Sequence, residues 1–231
     1  MMRMHRFFIE QEIPESGEIM ITDKDLIHQW QKVFRLKKGD RVIIFDGSGF
    51  DYISEFVSLD KNNSVLKIVE KKKNENVPKK EIHLFQSIIK KDKFEWALEK
   101  GTELGVSHFH PIISERSEKK DINFERARKI IKEASEQSGR SNLPHLNELA
   151  NLADTLNNDF VSIIFDPTGV KFDRNDFEKE KILGIFIGPE GGWSDKEAEI
   201  FKEKGVRILS LGGQILRAET AAIAISSMFL M

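Results

Sequence analysis

Over its first seventy residues the chain alternates apolar and polar positions in short runs. Residues 3–9, 41–45, 52–59 and 64–69 read as extended segments, the last three as half-buried strands. Asp46-Gly47-Ser48-Gly49 and Asp60-Lys61-Asn62-Asn63 supply the turns between those three. One helix interrupts the pattern over residues 23–35, with Thr22 as its N-cap and Leu26, Ile27, Trp30, Val33 and Phe34 along one stripe. Short strands joined by tight turns predict a small barrel or curled sheet over residues 1–72. Residues 73–80 follow as a linker, because the stretch from Lys71 to Lys80 is charged, polar and broken by Pro78.

From Glu81 the rhythm changes to apolar runs alternating with segments of helical period. Strands are predicted at 82–88, 108–113, 161–165, 182–187 and 206–211, and helices at 92–104, 124–138, 195–204 and 217–230. Asp92 and Glu95 have the spacing of a capping box, as do Ser194 and Glu197. Such alternation over residues 81–231 predicts an α/β domain on a mainly parallel sheet. The longest apolar stretch, residues 221–231, is too short to cross a bilayer and reads as a buried helix. Residues 1–10 hold two arginines and a histidine with no apolar run between them, which is not the pattern of a secretory signal.

Composition narrows the setting. The chain has no cysteine, which excludes a disulfide scaffold and a thiolate metal site and points to the reducing cytoplasm. The formal charge of −2 conceals an asymmetry. Residues 1–70 carry 10 Lys and Arg against 12 Asp and Glu, residues 71–140 carry 17 against 12, and residues 141–231 carry 9 against 14. A middle third at +5 is either a surface for phosphates or the solvated face of lysine-rich helices.

Two loops stand out because each runs from a predicted strand into a predicted helix, where open α/β sheets bind their ligands. They are Gly188-Pro189-Glu190-Gly191-Gly192-Trp193-Ser194 and Leu211-Gly212-Gly213-Gln214-Ile215-Leu216-Arg217-Ala218-Glu219-Thr220. Glycines there allow a ligand to approach the backbone closely. Neither loop carries the Gly-Lys-Ser/Thr of a phosphate-binding loop or the G-x-G-x-x-G of dinucleotide sites. His108 and His110 would share one strand face, the single metal-like spacing in the chain. With no third ligand evident, ordinary histidines and no bound metal are expected.

Five segments occur in a telling order: His5-Arg6-Phe7-Phe8, Glu99-Lys100-Gly101-Thr102-Glu103-Leu104-Gly105-Val106, Glu136-Gln137-Ser138-Gly139-Arg140, Gly188-Pro189-Glu190-Gly191-Gly192 and Leu216-Arg217-Ala218-Glu219-Thr220-Ala221. Together they resemble the bacterial 16S rRNA (uracil-N3)-methyltransferase family of the knotted SPOUT superfamily, across essentially the whole chain. Gly101 departs from that pattern, where alanine is more usual, and bears on helix packing.

The resemblance implies a small PUA-like β-barrel over residues 1–72 that binds RNA. It further implies a trefoil-knotted methyltransferase domain over residues 81–231, and a homodimer. The expected donor is S-adenosylmethionine, held by Gly188, Glu190, Gly191, Gly192, Leu211, Gly212, Ile215, Leu216, Thr220 and Ala221. The expected substrate is a uridine of 16S ribosomal RNA in the small subunit. Arg217 is a candidate for stabilising charge on the uracil oxygens or fixing a phosphate, its alternative being an ion pair with Glu190 or Glu219. Glu190 is a candidate acceptor of the N3 proton, its alternative a structural part of the turn. Arg6, Arg116 and Arg140 are candidate RNA contacts. Two other readings stay open: a non-catalytic RNA-binding or ribosome-assembly factor, and a SPOUT methyltransferase acting on transfer RNA or a ribose 2′-hydroxyl.

Overall fold

The computed structural model describes residues 4–231, which form two compact units. The first unit comprises the chain up to Val77 together with Ser135–Leu143. Its strands are β1 (Arg6–Phe8), β2 (Gly17–Ile21), β3 (Arg41–Phe45), β4 (Phe50–Leu59) and β5 (Ser64–Lys73), with helix α1 (Lys24–His28) between β2 and β3. They lie in the order β1-β3-β4-β5-β2, parallel between β1 and β3 and antiparallel elsewhere. Register shifts in β4 at Ile53/Ser54 and Phe56/Ser58 are bulges of the kind that bend and twist a sheet. The start of the expected first strand at Arg3 lies outside the described residues. Strand β2 is an addition, and β5 runs four residues further than 64–69, into the expected linker.

The helix near residue 23 differs from expectation at both ends. Asp23, not Thr22, is its N-cap: Asp23 Oδ1 accepts from the Asp25 and Leu26 amides at 2.9 and 3.1 Å. After His28 the chain widens into a π-type turn, where the Phe34 amide donates to the Gln29 carbonyl at 3.0 Å. The widened turn includes Trp30, which is fully buried and meets Phe7 and Phe56 edge-on, with centroids 5.6 and 5.0 Å apart. Such edge-on pairs add about 1 kcal/mol each beyond their buried area.

The second unit holds β6 (Glu81–Ser87), α2 (Lys91–Leu104), β7 (His108–Ile113), all but the last turn of α3 (Phe124–Ser138), β8 (His145–Leu146), β9 (Ala150–Asn151), β10 (Val161–Lys171), β11 (Ile182–Ile187), α4 (Asp195–Glu203), β12 (Arg207–Ser210) and α5 (Ala218–Leu230). Its sheet order is β12-β10-β11-β6-β7-β8, with β9 also on β7, and every pairing is parallel. β11, the apolar run Ile-Leu-Gly-Ile-Phe-Ile, is buried from Leu183 onward, as a strand covered on both faces must be. Phe94 and Leu98 of α2 and Ile225 and Phe229 of α5 join one face of the core, and Phe85, Phe186, Trp193 and Phe201 the other.

Helix α2 starts at Lys91 with no side-chain cap, so the Asp92–Glu95 box does not form. Gly101 sits against Phe109, whose ring would lie 2.8 Å from an added Cβ. That contact gives the departure at Gly101 a packing reason. No helix among the described residues is long and apolar enough to cross a membrane.

Candidate functional site

Because β10, β11 and β12 are parallel neighbours, their carboxyl ends converge on one edge of the sheet. At β11 the chain turns through Gly188–Ser194. The Gly192 amide donates to the Pro189 carbonyl at 2.9 Å, and Gly192 takes φ +68°, a left-handed turn that suits glycine. Ser194 then caps α4 with the box its spacing predicts. Glu197 does more than cap. Its buried carboxylate accepts the Ser194 amide through Oε2 at 2.8 Å and the Glu115 amide through Oε1 at 2.8 Å. The loop after β7 is thereby tied to the glycine loop, and the exposed Arg116 adds a second tie by donating Nη1 to the Gly191 carbonyl at 2.8 Å.

At β12 the chain runs through Leu211–Leu216, largely exposed. Gly212 has φ +129°, and space is open around the Cα of Gly192, Gly212 and Gly213. Ile215 is 84% exposed and Leu216 36%. Large apolar side chains left open beside bare backbone offer a surface that a flat, partly apolar group could cover. Arg217 is the exposed N-cap residue of α5, and its carbonyl accepts from the Ala221 amide at 2.8 Å. Thr220 is exposed and Ala221 half-buried on the first turn of that helix. Glu219 is buried and faces Lys93 at 3.4 Å.

The third loop was not anticipated. β10 extends to Lys171 instead of ending at Phe165, and Leu209 of β12 pairs with both Phe165 and Val170. Asp166–Gly169 are therefore thrown out of the ladder. The Thr168 amide and hydroxyl donate to Asp166 Oδ1 at 2.9 and 2.6 Å, closing the excursion. Gly169 passes the backbone of Leu209 so closely that an added Cβ would lie 2.6 Å from its carbonyl carbon. On the same end of the sheet, a cavity of about 360 Å³ opens between Ile88, Phe94, Leu98 and Ile122, rimmed by Lys91 and Lys119.

The structure brings Gly188, Glu190, Gly191, Gly192, Leu211, Gly212, Ile215, Leu216, Arg217, Thr220 and Ala221 to one edge of the second unit. Of the three arginines expected at RNA, Arg116 is exposed, whereas Arg6 and Arg140 turn inward within the first unit. Arg6 grips both oxygens of Asp51 at 2.8 and 2.7 Å and donates to Ser141 Oγ at 2.7 Å. Asn74 and Ser141 also donate to Asp51. Arg140 is 7% exposed and donates Nε to the Asn142 carbonyl at 3.1 Å. Both guanidiniums thus serve a buried polar network. Several cations of the basic middle third are also tied: Lys71 to Glu15, Lys100 to Glu99 and Glu103, and Arg126 to Glu95. His108 and His110 share their strand face with a third histidine, His83 of β6.

Residues 75–230 match the family described as RNA methyltransferase domain, and residues 31–69 that described as RNA methyltransferase PUA domain. The ribosomal RNA small subunit methyltransferase E of Rickettsia conorii is 30% identical over 236 residues, covering 96% of this chain and 93% of that one. Two solved structures share the architecture. One is a Legionella pneumophila protein assigned as a methyltransferase, in complex with the bound cofactor SAM, at TM-score 0.90 and 26% identity over 99% of this chain and 97% of that one. The other is the ribosomal RNA small subunit methyltransferase E of Neisseria gonorrhoeae bound to S-adenosyl methionine, at TM-score 0.88 and 26% identity over 97% and 96%.

Proposed function

This chain belongs to the RNA methyltransferase domain family, with a PUA domain ahead of its α/β unit, and on that premise we propose that it methylates N3 of one uridine in 16S ribosomal RNA of the small subunit. It is an S-adenosylmethionine-dependent ribosomal RNA methyltransferase, in keeping with its relatives. The observation that carries the reading is the set of three loops at adjacent strand ends, with open glycine backbone and bare apolar side chains.

The residues fit the donor. Its adenine would lie against Leu211, Ile215 and Leu216, with backbone groups of Gly188, Glu190, Gly191, Gly192 and Gly212 around it and Thr220 and Ala221 at the edge. When bound, S-adenosylmethionine supplies an electrophilic methyl group on a sulfonium. Transfer to uracil N3 would form the nitrogen–methyl bond as the methyl–sulfur bond breaks and leaves a neutral thioether, and the N3 proton must leave for the base to become nucleophilic. Glu190, exposed in its turn, accepts that proton, and Arg217 at the head of α5 stabilises the charge on the uracil oxygens. We take the passage of Gly169 against Leu209 as the place where the chain threads its knot.

RNA is held by the PUA-like residues 1–72 and by the exposed Arg116. The enzyme acts in the cytoplasm as a homodimer. In that reading the exposed Met228 and Met231 of the C-terminal end have a second copy to cover them.

The test is transfer of labelled methyl from S-adenosylmethionine to small subunits that lack the modification, with the product nucleoside identified by mass and chromatography. Label recovered as 3-methyluridine at one position is the expected result. Label on a ribose hydroxyl or on transfer RNA would replace the substrate. Donor binding without transfer to any RNA would return the chain to the assembly-factor reading.

A further inference from the structure

Four of the chain's six histidines lie on one face at the amino-terminal end of the parallel sheet, opposite the loops described above. Register places them there: His83 pairs with His108, His108 with His145, and Phe85 with His110. The rings form a ladder across β6, β7 and β8. His83 stacks on His108 at 4.1 Å, and His108 on His145 at 5.2 Å. Cross-strand stacking alone would be ordinary sheet packing. The nitrogens make this cluster different.

His83 Nδ1 lies 3.0 Å from His110 Nε2, and one ligand-competent atom from each of His83, His108 and His110 falls within 4.8 Å of the others. His83 Nε2 meets Glu81 Oε1 at 2.9 Å. With Nε2–H donating to that carboxylate, the His83 Nδ1 lone pair accepts from His110 Nε2–H, and a bound ion would take the place of that shared proton. A carboxylate behind a histidine is the usual outer partner of a metal ligand, since it orients the ring and raises its basicity. Two nitrogens bound to one tetrahedral zinc at its normal bond length stand about 3.3 Å apart, close to the 3.0 Å here. All three rings are partly open to solvent, so an ion has a path in.

We propose that His83, His108 and His110 form a site for one divalent transition-metal ion of the zinc class, with Glu81 as its outer-shell partner. Imidazole nitrogens without thiolate select zinc, nickel, cobalt or copper over magnesium and calcium. Three protein ligands leave a fourth position for water. Binding requires one movement. The stacked rings of His83 and His108 carry side-by-side lone pairs, so His108, whose side chain is 26% exposed, must swing until its nitrogen converges with the other two. The bound ion would then cross-link β6 and β7 at the end of the sheet remote from methyl transfer. The inference is independent of the proposed reaction.

The experiment uses the full, untagged chain stripped of metal. Zn²⁺ is titrated by calorimetry, Co²⁺ by visible absorption, and thermal unfolding is followed with and without Zn²⁺. One Zn²⁺ per chain at micromolar or tighter affinity, tetrahedral Co²⁺ bands and a raised Tm are expected. His108→Ala, at a partly exposed position, should weaken Zn²⁺ at least tenfold and abolish the Co²⁺ bands while the metal-free Tm stays near that of the parent. Glu81→Gln should weaken binding by roughly tenfold, the usual effect of losing an outer-shell partner. Absence of Zn²⁺ binding, or binding unchanged in both His108→Ala and His83→Gln, would overturn the site.

Discussion

Gly169 owes its identity to a backbone. Leu209 N, Leu209 C and Ile208 C would all lie within 2.8 Å of a Cβ placed there, and none can retreat as a side chain would. Gly169→Ala should therefore lower the unfolding free energy by roughly 3 kcal/mol, readable as a shift in urea midpoint. Gly191 contrasts with it, because its nearest neighbour is the Arg116 side chain at 3.3 Å, which can move. At Arg217 the exposed guanidinium is the group we propose to stabilise charge on the uracil oxygens. Arg217→Ala should cut turnover by about 10²-fold with donor affinity unchanged, and normal turnover would remove Arg217 from the charge-stabilising role. The position of the two glycine loops between strand and helix was legible because they stand in unusual local strings. Gly169 was not, since its meaning lies in a contact forty residues downstream. His83 was hidden in the same way: a lone histidine in a strand gains partners only through the register of β6 against β7. The burial of Arg6, a candidate RNA contact, could not be read locally because Asp51, which turns it inward, is remote in sequence.

Elements followed their patterns where burial was strong. The uninterrupted apolar run of β11 and the stripe of α3 could be placed residue by residue, because a fully covered strand and an amphipathic helix each leave a long signature. β2 escaped notice: with only Ile19 and Ile21 turned inward in five residues, its alternation is too short to register. β10 was cut short at Phe165 because Asp-Pro-Thr-Gly reads as a turn, and here it is a turn thrown out of a strand that resumes. The start of α4 is where an element and the site meet. Glu197→Gln would exchange one of two buried amide acceptors for a donor, costing about 2 kcal/mol. It would also loosen Glu115 and Ser194 together. Donor affinity should fall severalfold by calorimetry. An unchanged affinity would mean that the rigidity of this loop does not matter to the ligand.

At the scale of the molecule, the two units respond to acid differently. In the second, burial first, and then the charges of His83 and His108, push His110 from 6.5 down to about 3, and burial also lowers His108. The unfolded chain takes up protons below 6.5 that the folded unit refuses, so stability falls as the pH drops from there. In the first unit, burial pushes the Asp51 carboxyl up. Hydrogen bonds from Arg6, Ser141 and Asn74, with the Arg6 charge, outweigh it and hold the group below its ordinary 3.8. Its stabilisation is complete above 3.8 and is lost only as the pH falls through the lower folded value. With metal removed, urea midpoints reported by Trp193 should decline between pH 6.5 and 5 while those reported by Trp30 hold. Single-tryptophan chains can measure both, and parallel declines would contradict the assignment.

The first unit is finished by Ser135–Leu143, a segment that follows only after the chain has left that unit at Val77. Synthesis runs from the amino terminus, and domains generally fold as units. The contacts of Arg6 and Asp51 with Ser141 can therefore be completed only after β6, α2, β7 and α3 have all been translated. A chain that stops before residue 135 lacks one of the two parts of its first unit.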